Sequence, residues 1–327
     1  MKEKIIFTHG LIDLAQPRLG TKVIYKTDDF FASANRIISP TTPVFKEGVY
    51  DKHGKWMDGW ESRRKRTPGN DYIILKLGKP GKISKIDVDT SHFNGNQPEM
   101  ISVEGANSSS SKINQLDWQT LLAKKKTKAN SKHFFKISNK KTFTHIKFNI
   151  FPDGGVARLR LYGSIAKSNQ FSNKRINLAS LLDGASVIAC NNEHFGKAEN
   201  ILAPGKAKNM GDGWETRRRR HKGHDWLILN SIDGNAVDKI EISTHHFKGN
   251  FPSYCSLQAT FLSSKNSKRI LNSSNKWKYL LKNTKLSANK THIFKNSLMK
   301  KEKINHIKIN IFPDGGISRL RIFGKKI

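Results

Sequence analysis

Apolar positions along the chain come in short runs, closed off by Gly, Pro, Asn and Asp. Tyr72-Ile73-Ile74-Leu75-Lys76-Leu77 reads as a mostly apolar strand, whereas Lys85-Ile86-Asp87-Val88-Asp89-Thr90 and Lys239-Ile240-Glu241-Ile242-Ser243-Thr244 alternate with the period of two that a half-buried strand requires. Residues 144–150 and 158–162 follow the same rule. Helical periodicity is scarce: Trp118-Gln119-Thr120-Leu121-Leu122 and Trp277-Lys278-Tyr279-Leu280-Leu281 predict one or two turns at most. Many short strands with turn signals between them predict an all-β sandwich.

The pattern is written twice. Asp58-Gly59-Trp60-Glu61-Ser62-Arg63-Arg64-Lys65-Arg66 returns as Asp212-Gly213-Trp214-Glu215-Thr216-Arg217-Arg218-Arg219-Arg220, 154 residues later. His92-Phe93-Asn94-Gly95-Asn96 returns as His246-Phe247-Lys248-Gly249-Asn250, and Phe151-Pro152-Asp153-Gly154-Gly155 as Phe312-Pro313-Asp314-Gly315-Gly316. Two copies at this period are too few and too long for a solenoid. They predict tandem sandwich modules over residues 1–165 and 172–327, joined by a short polar stretch at 166–171. The first module carries an insertion at 39–55, expected as a surface loop: Asp13 to Asp58 spans 45 positions, Asn177 to Asp212 only 35. The Lys/Ser/Asn-rich pieces at 106–114 and 263–276 are expected as flexible loops.

Composition changes this picture little. The 327 residues suffice for two cores, and eighteen Phe, six Tyr and six Trp supply their bulk. A formal charge of +33 invites a polyanion partner, but the lysines lie scattered among Asn, Ser and Ile without a nucleic-acid-binding signature. Compositional drift over a solvated surface explains the charge equally well. Cys190 and Cys255 have neither metal-ligand spacing nor disulfide density, and neither an N-terminal leader nor a membrane-spanning run is evident. A cytoplasmic protein that neither enters a membrane nor takes nucleic acid as its main partner is expected.

Candidate chemistry sits where polar residues recur at strand ends. Arg63-Arg64 and Arg217-Arg218 offer planar forks for a small carboxylate. Neighbouring strand residues face opposite ways, so one arginine of each pair is expected to serve the fold, bridging Glu61 or Asp71, Glu215 or Asp225. His92 and His246, each before a turn, either move protons at a site rim or hold a neighbouring loop. His145 and His306, opening apolar strands, read as structural. The Asp-Gly-Gly turns are explained by turn chemistry alone, but Arg158 and Arg319 enter strands of Leu and Ile and need a partner. Trp60 and Trp214 read as core residues with their N–H groups satisfied locally. His92, Glu99 and Asp89 are possible metal ligands in the first module, yet Ser253 replaces Glu99 in the second; a divalent metal is left open.

With these motifs in hand, the chain resembles the allantoicase family over almost its full length: the doubled Asp-Gly-Trp-Glu-Ser/Thr-Arg-Arg motif, the run at 246–252 and the two Phe-Pro-Asp-Gly-Gly-x-x-Arg-Leu-Arg tails carry the likeness. The resemblance implies two jelly-roll modules of the galactose-binding-like type, homo-oligomeric assembly, and hydrolysis of allantoate to ureidoglycolate and urea. For such a substrate the residues themselves suggest carboxylate binding by arginines among Arg63, Arg64, Arg217 and Arg218, with Asn96, Asn250, Arg158 and Arg319 as further contacts. Proton transfer falls to His92 or His246, with Asp71 or Asp225 as orienting acids. Two rivals remain: a ligand-binding sandwich without catalysis, and a basic double sandwich for polyanions.

Overall fold

The computed structural model describes residues 5–110, 112–166, 174–296, 298 and 303–327. Almost all regular structure there is β, and the chain divides into two compact units. Most of the joint expected at 166–171 lies outside the described residues.

Each unit is organised on one long strand, Asp71–Asp89 or Asp225–Ser243. The two runs anticipated at 72–77 and 85–90 are halves of a single strand. Its first half pairs with Lys22–Lys26 and Phe143–Phe151, its second with Lys132–Lys136 and Arg158–Ile165. One strand thereby contributes to both layers of the sandwich, and the second module repeats the plan through Ser186–Cys190, Ile304–Phe312, Thr291–Phe294 and Arg319–Lys326. Between the layers lie Ile73, Leu75, Ile86, Val88, Phe148 and Leu159, none more than marginally exposed, as the period-two pattern demands.

Three expectations change. Residues 5–11 belong with the second module: Ile6–Phe7 pairs with Ser186–Cys190, and Phe7 packs against the cluster of Ile188, Ile228, Ile270 and Trp277. The segments expected as helical turns at 118–122 and 277–281 form strands instead, Gln119–Lys126 and Lys278–Lys285, held by pairing to Met100–Ala106 and Tyr254–Thr260. Within 263–276, expected to be a flexible loop, stands the only α-helix among the described residues, Ser267–Ser273. Asn266 caps it, its side chain accepting from the amides of Lys268 and Arg269 at 3.1 Å, and Ile270 anchors it in the apolar cluster.

One buried acid makes the fold sensitive to pH. Asp87 faces Arg160 across the strand pair, yet its Oδ1 has no hydrogen-bond partner, and burial pushes its carboxyl from 3.8 to about 6 against the opposing pull of Lys132, Lys85 and Arg160. Its folded-state value is raised, so its contribution to stability is complete below about pH 4 and lost as pH rises through about 6. Asp87→Asn should therefore melt close to the parent at pH 4 and several degrees above it at pH 7.5, by thermal unfolding at both pH values. An equal difference at the two would contradict the assignment.

Candidate active site

The doubled motif is built the same way in both modules. Trp60 and Trp214 are fully buried, and each indole N–H donates to a backbone carbonyl at 2.8 Å, of Asp28 and Asn192 respectively. The Phe-Pro-Asp-Gly-Gly turn docks on it. Asp153 Oδ2 accepts from the Lys65 amide at 2.6 Å, and Asp314 Oδ2 from the Arg219 amide at 2.8 Å. The second glycine of the turn has a reason beyond the turn itself: a Cβ on Gly155 would stand 2.0 Å from the Phe93 ring, and one on Gly316 2.0 Å from Phe247. Three motifs far apart in sequence thus lock together, which is why they recur together.

Beside this lock, in the first module, lies a pocket of about 340 Å³ lined by Phe45, Lys55, Met57, His92, Asn94 and Asn96. The insertion at 39–55 supplies Phe45 and Lys55. The Lys55 ammonium sits 4.6 Å over the Phe45 ring, and that ring stacks on His92 at 5.9 Å. His92 holds a left-handed backbone, φ 72°, as does His246 with φ 74°, a conformation that a non-glycine residue keeps only when its surroundings enforce it. In both cases an asparagine amide oxygen holds the backbone N–H at 2.9 Å, from Asn130 and Asn289. Each Nε2 faces a loop carbonyl, Pro43 O at 3.4 Å and Ala207 O at 2.9 Å. Nε2 thus holds a neighbouring loop in each module, and among the described residues Nδ1 has no hydrogen-bond partner.

Asn96 Nδ2 donates to Glu61 Oε1 at 2.8 Å at the pocket's edge. Burial raises the Glu61 carboxyl above its usual range, with the Asn96 bond opposing, and among the described residues Oε2 has no hydrogen-bond partner. Asn250 and Glu215 repeat the bond in the second module. The recurrence of an acid and an asparagine was visible in the sequence, but Glu61 and Glu215 were read only as partners for arginines. Lys55 and Phe45 carried no such signal, since the insertion is unique to the first module.

Several anticipated site residues lie elsewhere. Arg158 is 1% exposed, and its guanidinium is engaged by Asp58 Oδ2 at 2.7 Å and by the carbonyls of Thr41, Asp58 and Ala157. Arg319 is held alike by Asp212 and the carbonyls of Gly205, Lys206, Asp212 and Ser318. These two arginines are struts that fix the loop before each motif: Arg319 spends all five of its N–H donors on the fold and Arg158 four of five. Asp71 and Asp225 do not orient the histidines. Asp71 takes Lys65 Nζ and Thr27 Oγ1, both at 2.9 Å, and Asp225 takes Arg219 Nη2 at 2.5 Å. The structural member of each basic run is thus its third residue. Arg63 is ion-paired with Asp28 at 2.7 Å and covers the Phe30 ring, and Arg217 approaches His194 at 3.4 Å. Arg64 and Arg218 are exposed. None of the four lines the pocket, whose cation is Lys55.

His145 and His306 are buried, as expected of structural residues; burial pushes the His306 imidazole down to about 4, so it stays neutral. Among the described residues no three His, Cys, Asp or Glu side chains gather as metal ligands, so His92, Glu99 and Asp89 are not assembled into a set. No helix among them is long and apolar enough to cross a membrane.

Comparison with known proteins completes the description. The family model described as the allantoicase repeat matches residues 12–166 and 176–327. A probable allantoicase of Pseudomonas fluorescens (strain Pf0-1) is 46% identical over 99% of both chains. One of Acinetobacter baumannii (strain AYE) is 45% identical, over 96% of this chain and 93% of its own. Among solved structures, the allantoicase of Saccharomyces cerevisiae superposes with a TM-score of 0.82 at 31% identity, covering 96% of this chain and 93% of that one.

Proposed function

The chain belongs to the allantoicase family and hydrolyses allantoate to ureidoglycolate and urea, and we propose that it does so in the pocket of its first module. One observation carries this location: a lysine, a histidine with a free ring nitrogen, and two side-chain amides converge in one cavity, with a carboxyl of raised pKa hydrogen-bonded at its edge.

Allantoate presents a carboxylate and two ureido groups on one carbon. The Lys55 ammonium receives the carboxylate, while Asn94 and Asn96 offer donors and acceptors to the ureas. In the reaction one C–N bond breaks and one C–O bond forms. Glu61, whose carboxyl burial raises above its usual range, gives a proton from its protonated form to the departing nitrogen through Oε2. His92, whose Nε2–H points to Pro43 O, takes a proton from water at Nδ1. Exchange with solvent returns both groups to their starting states. The second module repeats the framework with Glu215, Asn250 and His246, but its shorter loop brings no counterpart of Phe45 and Lys55. We assign it a supporting role. All lining residues of the pocket come from one module, and the free, buried thiols of Cys190 and Cys255 suit the reducing cytoplasm, where we place the enzyme.

The assay is urea release from allantoate by the purified protein. Lys55→Ala is expected to raise KM about tenfold or more with kcat little changed, because a charge-assisted bond to the carboxylate contributes about 1.5–3 kcal/mol and is present in ground and transition states alike. A KM within about threefold of the parent would remove the carboxylate from this pocket.

A further inference from the structure

On the face of the first module's sheet that turns away from the core, a second cleft of about 340 Å³ opens over Ser102, Glu104, Thr120, Lys124, Lys147 and Asn149. It shares no residue with the catalytic pocket. Its floor is a prepared polar lattice. Asn149 Nδ2 donates to Ser102 Oγ at 3.1 Å and to Glu104 Oε2 at 3.0 Å, and Lys147 Nζ stands 3.4 Å from the same carboxylate.

The duplication supplies a built-in comparison. In the second module Ser256, Gln258, Lys308 and Asn310 occupy the same cross-strand pairs, Ser256 opposite Asn310 and Gln258 opposite Lys308, as Ser102 faces Asn149 and Glu104 faces Lys147. Asn310 Nδ2 likewise donates to Ser256 Oγ and Gln258 Oε1, both at 3.2 Å. There, however, the module's own chain covers the lattice. Lys308 Nζ donates to the Asn275 side-chain oxygen at 2.8 Å, Gln258 Nε2 donates to the Trp277 carbonyl at 2.9 Å, and both residues are buried. In the first module the corresponding Lys147 and Glu104 side chains remain 24% and 27% exposed.

We propose that this cleft binds a small carboxylate bearing an amide or ureido group. Lys147 calls for the carbonyl-type acceptor that Asn275 gives Lys308. Glu104, standing where the second module has Gln258, is acceptor-only and calls for an N–H donor where Gln258 meets a carbonyl. A carbonyl acceptor beside an N–H donor is the end of an amide or urea. Lys124, on the wall 4.2 Å over the Phe151 ring, supplies a second cation for the carboxylate. Two lysines against one glutamate leave the lining at +1, which one anionic ligand neutralises. The proposal does not depend on where the reaction takes place.

The test is calorimetric titration with N-carbamoylglycine, a ureido carboxylate, of the parent, Glu104→Ala, Thr120→Tyr and Lys55→Ala. Tyrosine is what the second module carries at the position of Thr120, so Thr120→Tyr fills the cleft mouth while keeping every lattice side chain and covers the case in which Glu104→Ala is poorly folded. The expected result is that Glu104→Ala and Thr120→Tyr each weaken one binding event at least tenfold with kcat on allantoate within about twofold of the parent, while Lys55→Ala retains that event. Absence of binding to the parent at 10 mM on the order of magnitude of weak ligand contacts, or an isotherm unchanged in both cleft variants, overturns the proposal and leaves the catalytic assignment to its own assay.

Discussion

Replacing Glu61 by glutamine is expected to lower kcat for allantoate about a hundredfold or more, the usual effect of removing a general acid, with KM nearly unchanged. Glutamine keeps an oxygen for Asn96 Nδ2, so the hydrogen bond at the pocket edge survives and only the transferable proton is lost. The pH profile separates this from a structural defect. Burial raises the Glu61 carboxyl, so the reactive, protonated form persists to higher pH than for an ordinary glutamate, and kcat falls as pH climbs through the raised value. That basic limb should vanish in Glu61→Gln. The same change at Glu215 keeps the Asn250 bond and should leave kcat within about threefold, if the catalytic proton comes from the first module alone. Equal losses at 61 and 215 would mean two working sites, and a loss under about threefold at Glu61 would remove it from the chemistry.

Why the bond between Glu61 and Asn96 is not legible in the sequence while the burial of Trp60 is comes down to which interactions are local. The burial of Trp60, the alternation at 85–90 and the duplication follow from periodicity and composition, which each strand carries within itself. Arg158 is different: a charged residue in a Leu-rich strand reads as a ligand or as a strut until its partner is known, and that partner, Asp58, lies 100 residues away. Strand alternation predicts one structural arginine in each of the pairs Arg63-Arg64 and Arg217-Arg218, but the docking of Asp153 and Asp314 beneath the run selects the residue after the pair, Lys65 or Arg219. The helix Ser267–Ser273 is too short to be stable on propensity and exists through its cap and Ile270. Lys55 enters the pocket from an insertion with no counterpart for comparison. What was legible was the framework and the recurring histidines; what was not was the pairing of charges.

That pairing carries the largest expected effect on stability. Asp225 is fully buried, its Oδ1 shared by Arg219 Nη2 at 2.5 Å and Asn191 Nδ2 at 3.0 Å, and its Oδ2 has no partner. Arg219→Met strands this carboxylate in the interior, and breaking a buried pair from one side costs about 3–5 kcal/mol. In a module of this size that corresponds to a fall in Tm of roughly 10 °C, read by thermal unfolding at pH 7. The double variant Arg219→Met, Asp225→Leu removes both charges together and should recover most of the loss, since desolvation of the ions offsets much of their attraction. The first module provides the control. There Asp71 would keep Thr27 as Asp225 would keep Asn191, but Lys65 is still 21% exposed where Arg219 is buried, so water can reach the acid that Lys65→Met uncovers and the cost should be distinctly less. If Arg219→Met and its double variant melted together, the penalty would come from lost packing and not from an uncompensated charge.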